Sequence, residues 1–303
     1  MIVGPGAMGT LFGGLLVSGG HEVWLLGRRK EVISAIAQNG VAVVRGGTRR
    51  TMSLNATLSA VDAAPAELIV MFVKAYDTLQ ACKDALPAVG ADTVVMTLQN
   101  GLNNVSSLIS VFGRERVIAG VTAQGATLIG PGQVRHAGEG QTHLGELDGR
   151  ETERLKRVAT ALRQSGIEVE ISVSVKSQIW GKLVVNAAIN PVTALLRARN
   201  GLLLDWPETR ILMAAAAREA AAVARAQGIQ LPYDDPVARV ETVCRLTASN
   251  RSSMLQDVER GVRTEIDYIN GAVVREGEAK GIPTPVNWTL TQLVRAMAGV
   301  AEG

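Results

Sequence analysis

A sheet of parallel strands layered with helices, followed by a domain of helices alone, is the fold class this sequence predicts. Three observations carry it. Short apolar runs alternate with helical patterns through the first half, as strand–helix–strand units do. A glycine-rich turn joins the first run to the first helix. Beyond residue 172 the two-residue alternation of strands almost vanishes, and long helical patterns follow one another. A chain of 303 residues has room for about two domains. The change of texture divides it at 1–171 and 172–303.

In order, residues 2–3 read as a strand, 10–18 as a helix, 22–26 as a second strand and 31–39 as a helix. Residues 68–73, 93–98 and 117–122 are apolar runs that suit further strands. Glycine-rich segments separate short alternating runs over 123–145, which predicts an antiparallel hairpin extension. A helix over 151–165 and a strand over 168–171 close the first domain. Helices are then expected over 176–189, 207–227, 235–247, 252–259, 265–280 and 287–298. The alanine runs 214–217 and 220–222 suit close helix packing rather than a site.

Composition narrows the function. With 47% hydrophobic and 19% charged residues, the chain is that of a globular protein, not a disordered one. Its two cysteines are too few for a disulfide framework, and no secretory leader opens the sequence, so a cytoplasmic location is expected. No run of about 18 to 20 apolar residues predicts a membrane span. A net charge of +3 without a basic block gives no reason to expect nucleic acid. His21, His136 and His143 lie far apart and no metal is expected. Apolar helices in the second domain suit a monomer's core or a homodimer interface equally.

The turn Gly4-Pro5-Gly6-Ala7-Met8-Gly9 matches G-x-G-x-x-G between a strand and a helix. The first glycine permits the tight turn, the second lets a pyrophosphate approach the backbone, and the third lets helix pack on sheet. Free N–H groups at the helix start favour phosphate there. The pattern predicts a Rossmann-type dinucleotide-binding domain, with an empty glycine turn as the bland alternative. Only three residues precede Gly4, so the first strand is expected to be clipped, with its start upstream or its edge frayed. Where an NAD-binding domain carries an acid after the second strand, this chain reads Arg28-Arg29-Lys30. A cation suits a 2′-phosphate, which favours NADP(H) over a merely solvated basic turn.

The most informative stretch runs from Trp180 to Pro191. Lys182, Asn186 and Asn190 stand four residues apart, on one face of a helix whose other positions are almost wholly apolar. Polar groups on a buried helix need partners. One ammonium and two amides in register suit a small polar ligand, though neighbouring backbone or a snorkelling lysine would also satisfy them. Downstream, Asn250, Ser253 and Asp257 fall near one face, while Asn250 and Ser252 could equally be helix N-caps. The segment from Arg263 to Gly271 adds carboxylates, one of which would make an acid/base pair with a buried lysine.

These stretches together resemble the ketopantoate reductase (2-dehydropantoate 2-reductase) family. The match lies in the glycine turn, Val73-Lys74-Ala75, Gln99-Asn100-Gly101, the Trp180–Pro191 pattern, Asn200-Gly201, residues 250–257 and residues 264–271. It covers essentially the whole chain, and the later motifs are more specific than the glycine turn. The resemblance implies NADPH-dependent reduction of 2-dehydropantoate to pantoate, in the biosynthesis of pantothenate and coenzyme A. It implies that Lys182 is the general acid and that Glu265 pairs with it and helps hold substrate and cofactor. Asn100, Asn186, Asn190, Asn200, Asn250 and Ser253 would bind substrate, with Ser253 on its carboxylate. Lys74 and Asn100 would lie at the ribose and nicotinamide, and Arg28 at the 2′-phosphate, beside the loop residues Gly4, Pro5, Gly6, Ala7, Met8 and Gly9. Asp77 departs from the expected uncharged polar residue and leaves the surroundings of Lys74 open. Two alternatives remain: a reductase of another branched 2-oxo acid, and an NADP(H)-sensing protein without turnover.

Overall fold

The computed structural model describes residues 1–300, so the last three residues of the expected second domain lie outside the described residues. The chain forms two compact units. The first comprises residues 1–99 and 103–175, the second residues 100–102 with the described residues from Lys176 onward.

The first unit runs β1 (Ile2–Val3), α1 (Ala7–Ser18), β2 (Trp24–Leu26), α2 (Lys30–Asn39), β3 (Val41–Arg45), β4 (Thr48–Met52), β5 (Asn55–Thr57), β6 (Ala66–Met71) and α3 (Thr78–Ala85). It continues with β7 (Val89–Thr97), α4 (Asn104–Phe112), β8 (Val117–Thr122), β9 (Gly125–Gly130), β10 (Gln133–Gly138), β11 (Thr142–Glu146), α5 (Glu153–Gln164) and β12 (Val169–Ile171). Eight strands make the main sheet in the order β12-β11-β8-β7-β6-β1-β2-β5. Every pair is parallel except β8 with β11. Phe12, Leu25 and Ile36 pack on one buried cluster of this unit, and Ile69, Leu108 and Phe112 on another. This is the expected α/β domain.

Three expectations are corrected. β1 is short but not frayed: it lies inside the sheet, with Ile2 opposite Leu25 and Val70, and both of its residues are buried. A second, four-stranded sheet in the order β4-β3-β10-β9 went unread. Its β3–β4 hairpin turns through Gly46 and Gly47, both at positive φ, as a two-residue hairpin turn demands. The hairpin expected over 123–145 is β9–β10, and it joins this second sheet by pairing β10 parallel to β3.

The second unit holds α6 (Val175–Leu196), α7 (Pro207–Ala226), α8 (Pro236–Leu246), α9 (Ser253–Glu259), α10 (Asn270–Lys280) and α11 (Pro285–Val300). On α7, Ala216, Ala217, Ala220, Ala221 and Ala224 are buried, so small side chains let helices approach closely. The third correction lies in α6, which continues through Pro191 instead of stopping before it. Proline removes the N–H that would bond the carbonyl four residues back, and such a residue usually breaks a helix. Here the Nδ2 of the buried Asn270 donates to that carbonyl, Ala187 O, at 2.8 Å. By length and composition α6 would cross a membrane, with mean hydropathy 1.3, yet 72% of that window is buried within the protein. Its apolar character is that of a core helix, as Val184, Ala187, Ala188 and Val192 in the central cluster attest.

Candidate active site

Each glycine of the loop meets a different constraint. Gly4 adopts φ +100°, and a Cβ there would lie 2.8 Å from the backbone nitrogen of Val73. A Cβ on Gly9 would fall 2.0 Å from the carbonyl oxygen of Gly4, because α1 packs directly on the loop. Gly6, the N-cap of α1, faces open space, with nothing within 4 Å of an added Cβ. Two glycines are thus needed for folding, and the third keeps bare backbone accessible at a helix start. That chemistry fits a dinucleotide pyrophosphate.

Arg28 stands just beyond β2, and its neighbour Gly27 fits so tightly against the loop that a Cβ would lie 2.8 Å from Pro5 Cγ. The Arg28 side chain is exposed and engaged by two acids. Its Nε donates to Asp84 Oδ2 at 2.9 Å, and its Nη1 lies 3.6 Å from Asp77 Oδ1. Asp77, the departure from the family pattern, therefore faces Arg28. Lys74 is half-buried and opens the turn after β6, its carbonyl accepting from the Asp77 amide at 2.8 Å. That turn is fixed by Gln99, to which the sequence assigns no role. Gln99 Nε2 donates to Val73 O at 2.7 Å and to Thr78 Oγ1 at 2.8 Å.

The second unit gathers the remaining residues. Lys182 and Asn186 are half-buried and Asn190 is buried, along one row of α6 that spans roughly 12 Å at 1.5 Å per residue. Glu265 is buried and its carboxylate acts on the Lys182 ammonium. Burial pushes Lys182 down to about 8, against the Glu265 charge, which pushes it up. Asn186 Nδ2 donates to Asn100 Oδ1 at 3.5 Å. Asn100 reaches this unit because residues 100–102 dock on it. Leu102 N donates to Tyr268 O at 3.0 Å, and Gly101, at φ +81°, leaves no space for a Cβ against the same carbonyl.

A second group lies at the far end of the row. Thr193 Oγ1 donates to Asn190 O at 2.8 Å and is hydrogen-bonded to Ser252 Oγ at 2.7 Å. Ser252 is the N-cap of α9 and accepts from Leu255 N, so the capping alternative holds for it. Half-buried Ser253 begins the helix beside it. Asn250 caps no helix; its carbonyl accepts from Asn200 N at 3.1 Å. Asn200 is buried, and Nδ2 donates to Thr247 Oγ1 at 2.9 Å while Oδ1 has no protein partner. Among the described residues no cluster of three His, Cys, Asp or Glu could hold a metal ion.

Sequence reading passed over the support behind α6. Beyond Ala187, Asn270 Nδ2 donates to Asn287 Oδ1 at 3.0 Å, and Asn287 Nδ2 donates to Ala216 O and to Glu219 Oε2 at 3.1 and 2.8 Å. The signal was present as single polar residues inside apolar helical runs.

Comparison with known proteins matches the family profile described as "Ketopantoate reductase PanE/ApbA" to residues 1–149 and its C-terminal counterpart to residues 174–298. A 2-dehydropantoate 2-reductase of Halobacterium salinarum is 39% identical over 97% of each chain. The crystal structure of a PanE/ApbA family ketopantoate reductase from Ralstonia eutropha superimposes with TM-score 0.91 at 33% identity, covering 100% of both chains. A D-mandelate dehydrogenase solved with NADH and anilino(oxo)acetate gives TM-score 0.93 at 29% identity, again over 100% of both.

Proposed function

The chain belongs to the ketopantoate reductase family, and on that premise we propose that it reduces 2-dehydropantoate to pantoate with NADPH, Lys182 acting as general acid. The observation that carries this reading is the Lys182–Glu265 pair on the same unit as Asn186 and Asn100. When bound, the reduced nicotinamide supplies a hydride to the oxo carbon. Negative charge then builds on the ketone oxygen, where the Lys182 ammonium stabilises it and delivers the proton. The neutral amine recovers its proton from solvent. Glu265 keeps the lysine protonated against desolvation. The amides of Asn186 and Asn100 orient the oxo acid, with Asn190, Asn200, Asn250 and Ser253 on its hydroxyl and carboxylate. Gly4, Pro5, Gly6, Ala7, Met8 and Gly9 would hold the pyrophosphate, with Lys74 toward the ribose and Arg28 toward the 2′-phosphate.

The test is loss of NADPH absorbance with 2-dehydropantoate, run beside pyruvate, 2-oxoisovalerate and an NADH control. Turnover of 2-dehydropantoate with NADPH favoured is the expected result. Likeness to D-mandelate dehydrogenase motivates a second reading, an oxo acid reductase with a different side-chain preference. Turnover of another acid would select it, whereas nucleotide binding without turnover of any acid would select a sensing role.

The pH profile follows from the lysine. Reduction needs the protonated form, so kcat/KM should hold steady at lower pH and fall about tenfold per unit above the Lys182 value of about 8. Glu265→Gln removes the charge that raises that value and should move the limb to lower pH. Initial rates across pH decide this, and a limb that stays put or moves up would contradict the pairing.

A further inference from the structure

Two carboxylates beside Arg28 have no role in the reaction described above. Asp84 takes the guanidinium Nε at 2.9 Å, and Asp77 stands 3.6 Å from Nη1. Asp84 is itself held in place, since Gln80 Nε2, one turn earlier on α3, donates to its other oxygen at 2.8 Å. Arginine and two aspartates together carry one net negative charge. A guanidinium binds phosphate best through a free two-donor edge. Here one side is occupied and the other faces an acid.

A 2′-phosphate carries about 1.5 to 2 negative charges near neutral pH, whereas a 2′-hydroxyl carries none. Its arrival would meet an arginine already neutralised, with like charge from both acids close by. A ribose with a free 2′-hydroxyl meets neither obstacle. We propose that Asp77 and Asp84 are specificity-determining residues: they stand in for the 2′-phosphate on Arg28 and narrow the preference for NADPH over NADH. This rests on the reading that Arg28 faces the 2′ end of the cofactor. Side-chain exposures of 50% for Arg28, 45% for Asp77 and 36% for Asp84 mean that water screens the group. The acids therefore adjust the preference and do not abolish it.

Calorimetric titration of the full chain with NADPH and with NADH tests this, using wild type, the Asp77→Asn/Asp84→Asn double variant, and that double variant with Arg28→Gln added. The double variant should bind NADPH about three- to tenfold more tightly while its NADH affinity stays within about twofold. The gain should shrink at high salt, where exposed charges are screened, and shrink when Arg28→Gln is added, which leaves only the relief of direct repulsion. Should both nucleotides bind the double variant with an unchanged or lower preference for NADPH, the acids merely position Arg28 and the inference falls alone. A wild-type protein that binds neither nucleotide would overturn the cofactor reading and this inference together. Melting curves confirm that the exposed substitutions leave the fold intact.

Discussion

Replacing Lys182 with Met should lower kcat by about 10² to 10⁴ without unfolding the protein. Methionine retains most of the stem that packs in α6 and removes only the ammonium. That ammonium is disfavoured by burial, as its lowered value of about 8 records, so its loss should not weaken the fold. In the proposed mechanism, catalysis loses both the charge opposite the developing oxyanion and the proton delivered to it. Lys182→Arg separates the two effects. Arginine retains a cation but does not release a proton near neutral pH, so it should remain strongly impaired, and the alkaline limb assigned to Lys182 should disappear. Steady-state kinetics beside thermal unfolding provide the check. A Met variant within about threefold of wild type would remove the lysine from the mechanism.

The α/β sheet and the helical second unit were legible because hydrophobic period and glycine placement are local properties. The same holds for the row Lys182–Asn186–Asn190, whose spacing alone puts it on one face of α6. The tight turn at Gly4 and the close packing at Gly9 were also readable, since each follows from position in a strand–turn–helix unit. What escaped was tertiary. No spacing joins Arg28 to Asp84, 56 residues away, or Glu265 to Lys182. The pairing of those last two came from family resemblance rather than from periodicity. The β3–β4 hairpin was missed although Gly46-Gly47 marks its turn, because arginines fill its exposed second strand. The helix expected over 176–189 ends short of Pro191, while the donor that lets α6 continue through the proline arrives from α10.

That override sets the second large effect. Glu219, on α7, accepts from Val286 N and Asn287 N, both at 2.9 Å, and so caps the start of α11 from another helix. A carboxylate at a helix N-terminus also complements its dipole. Through Asn287 it orients Asn270, which must then present Nδ2 to Ala187 O. Removing Glu219 by Glu219→Ala should cost about 2–4 kcal/mol, because three N–H donors lose a charged acceptor. Asn270→Ala strands the Ala187 carbonyl and Asn287 Oδ1, and about 2–3 kcal/mol is expected from two unmet buried groups. The double variant should lose less than the sum, by about 0.5–2 kcal/mol, since both act through Asn287. Urea unfolding of the four proteins measures the coupling. Within the folded Asn270→Ala protein, α6 bends differently at Pro191 and shifts Asn190 relative to Lys182, so KM for the oxo acid should rise more than kcat falls. Additive losses with an unchanged KM would mean that Glu219 and Asn270 are separate supports, and that α6 passes through Pro191 without help from the relay.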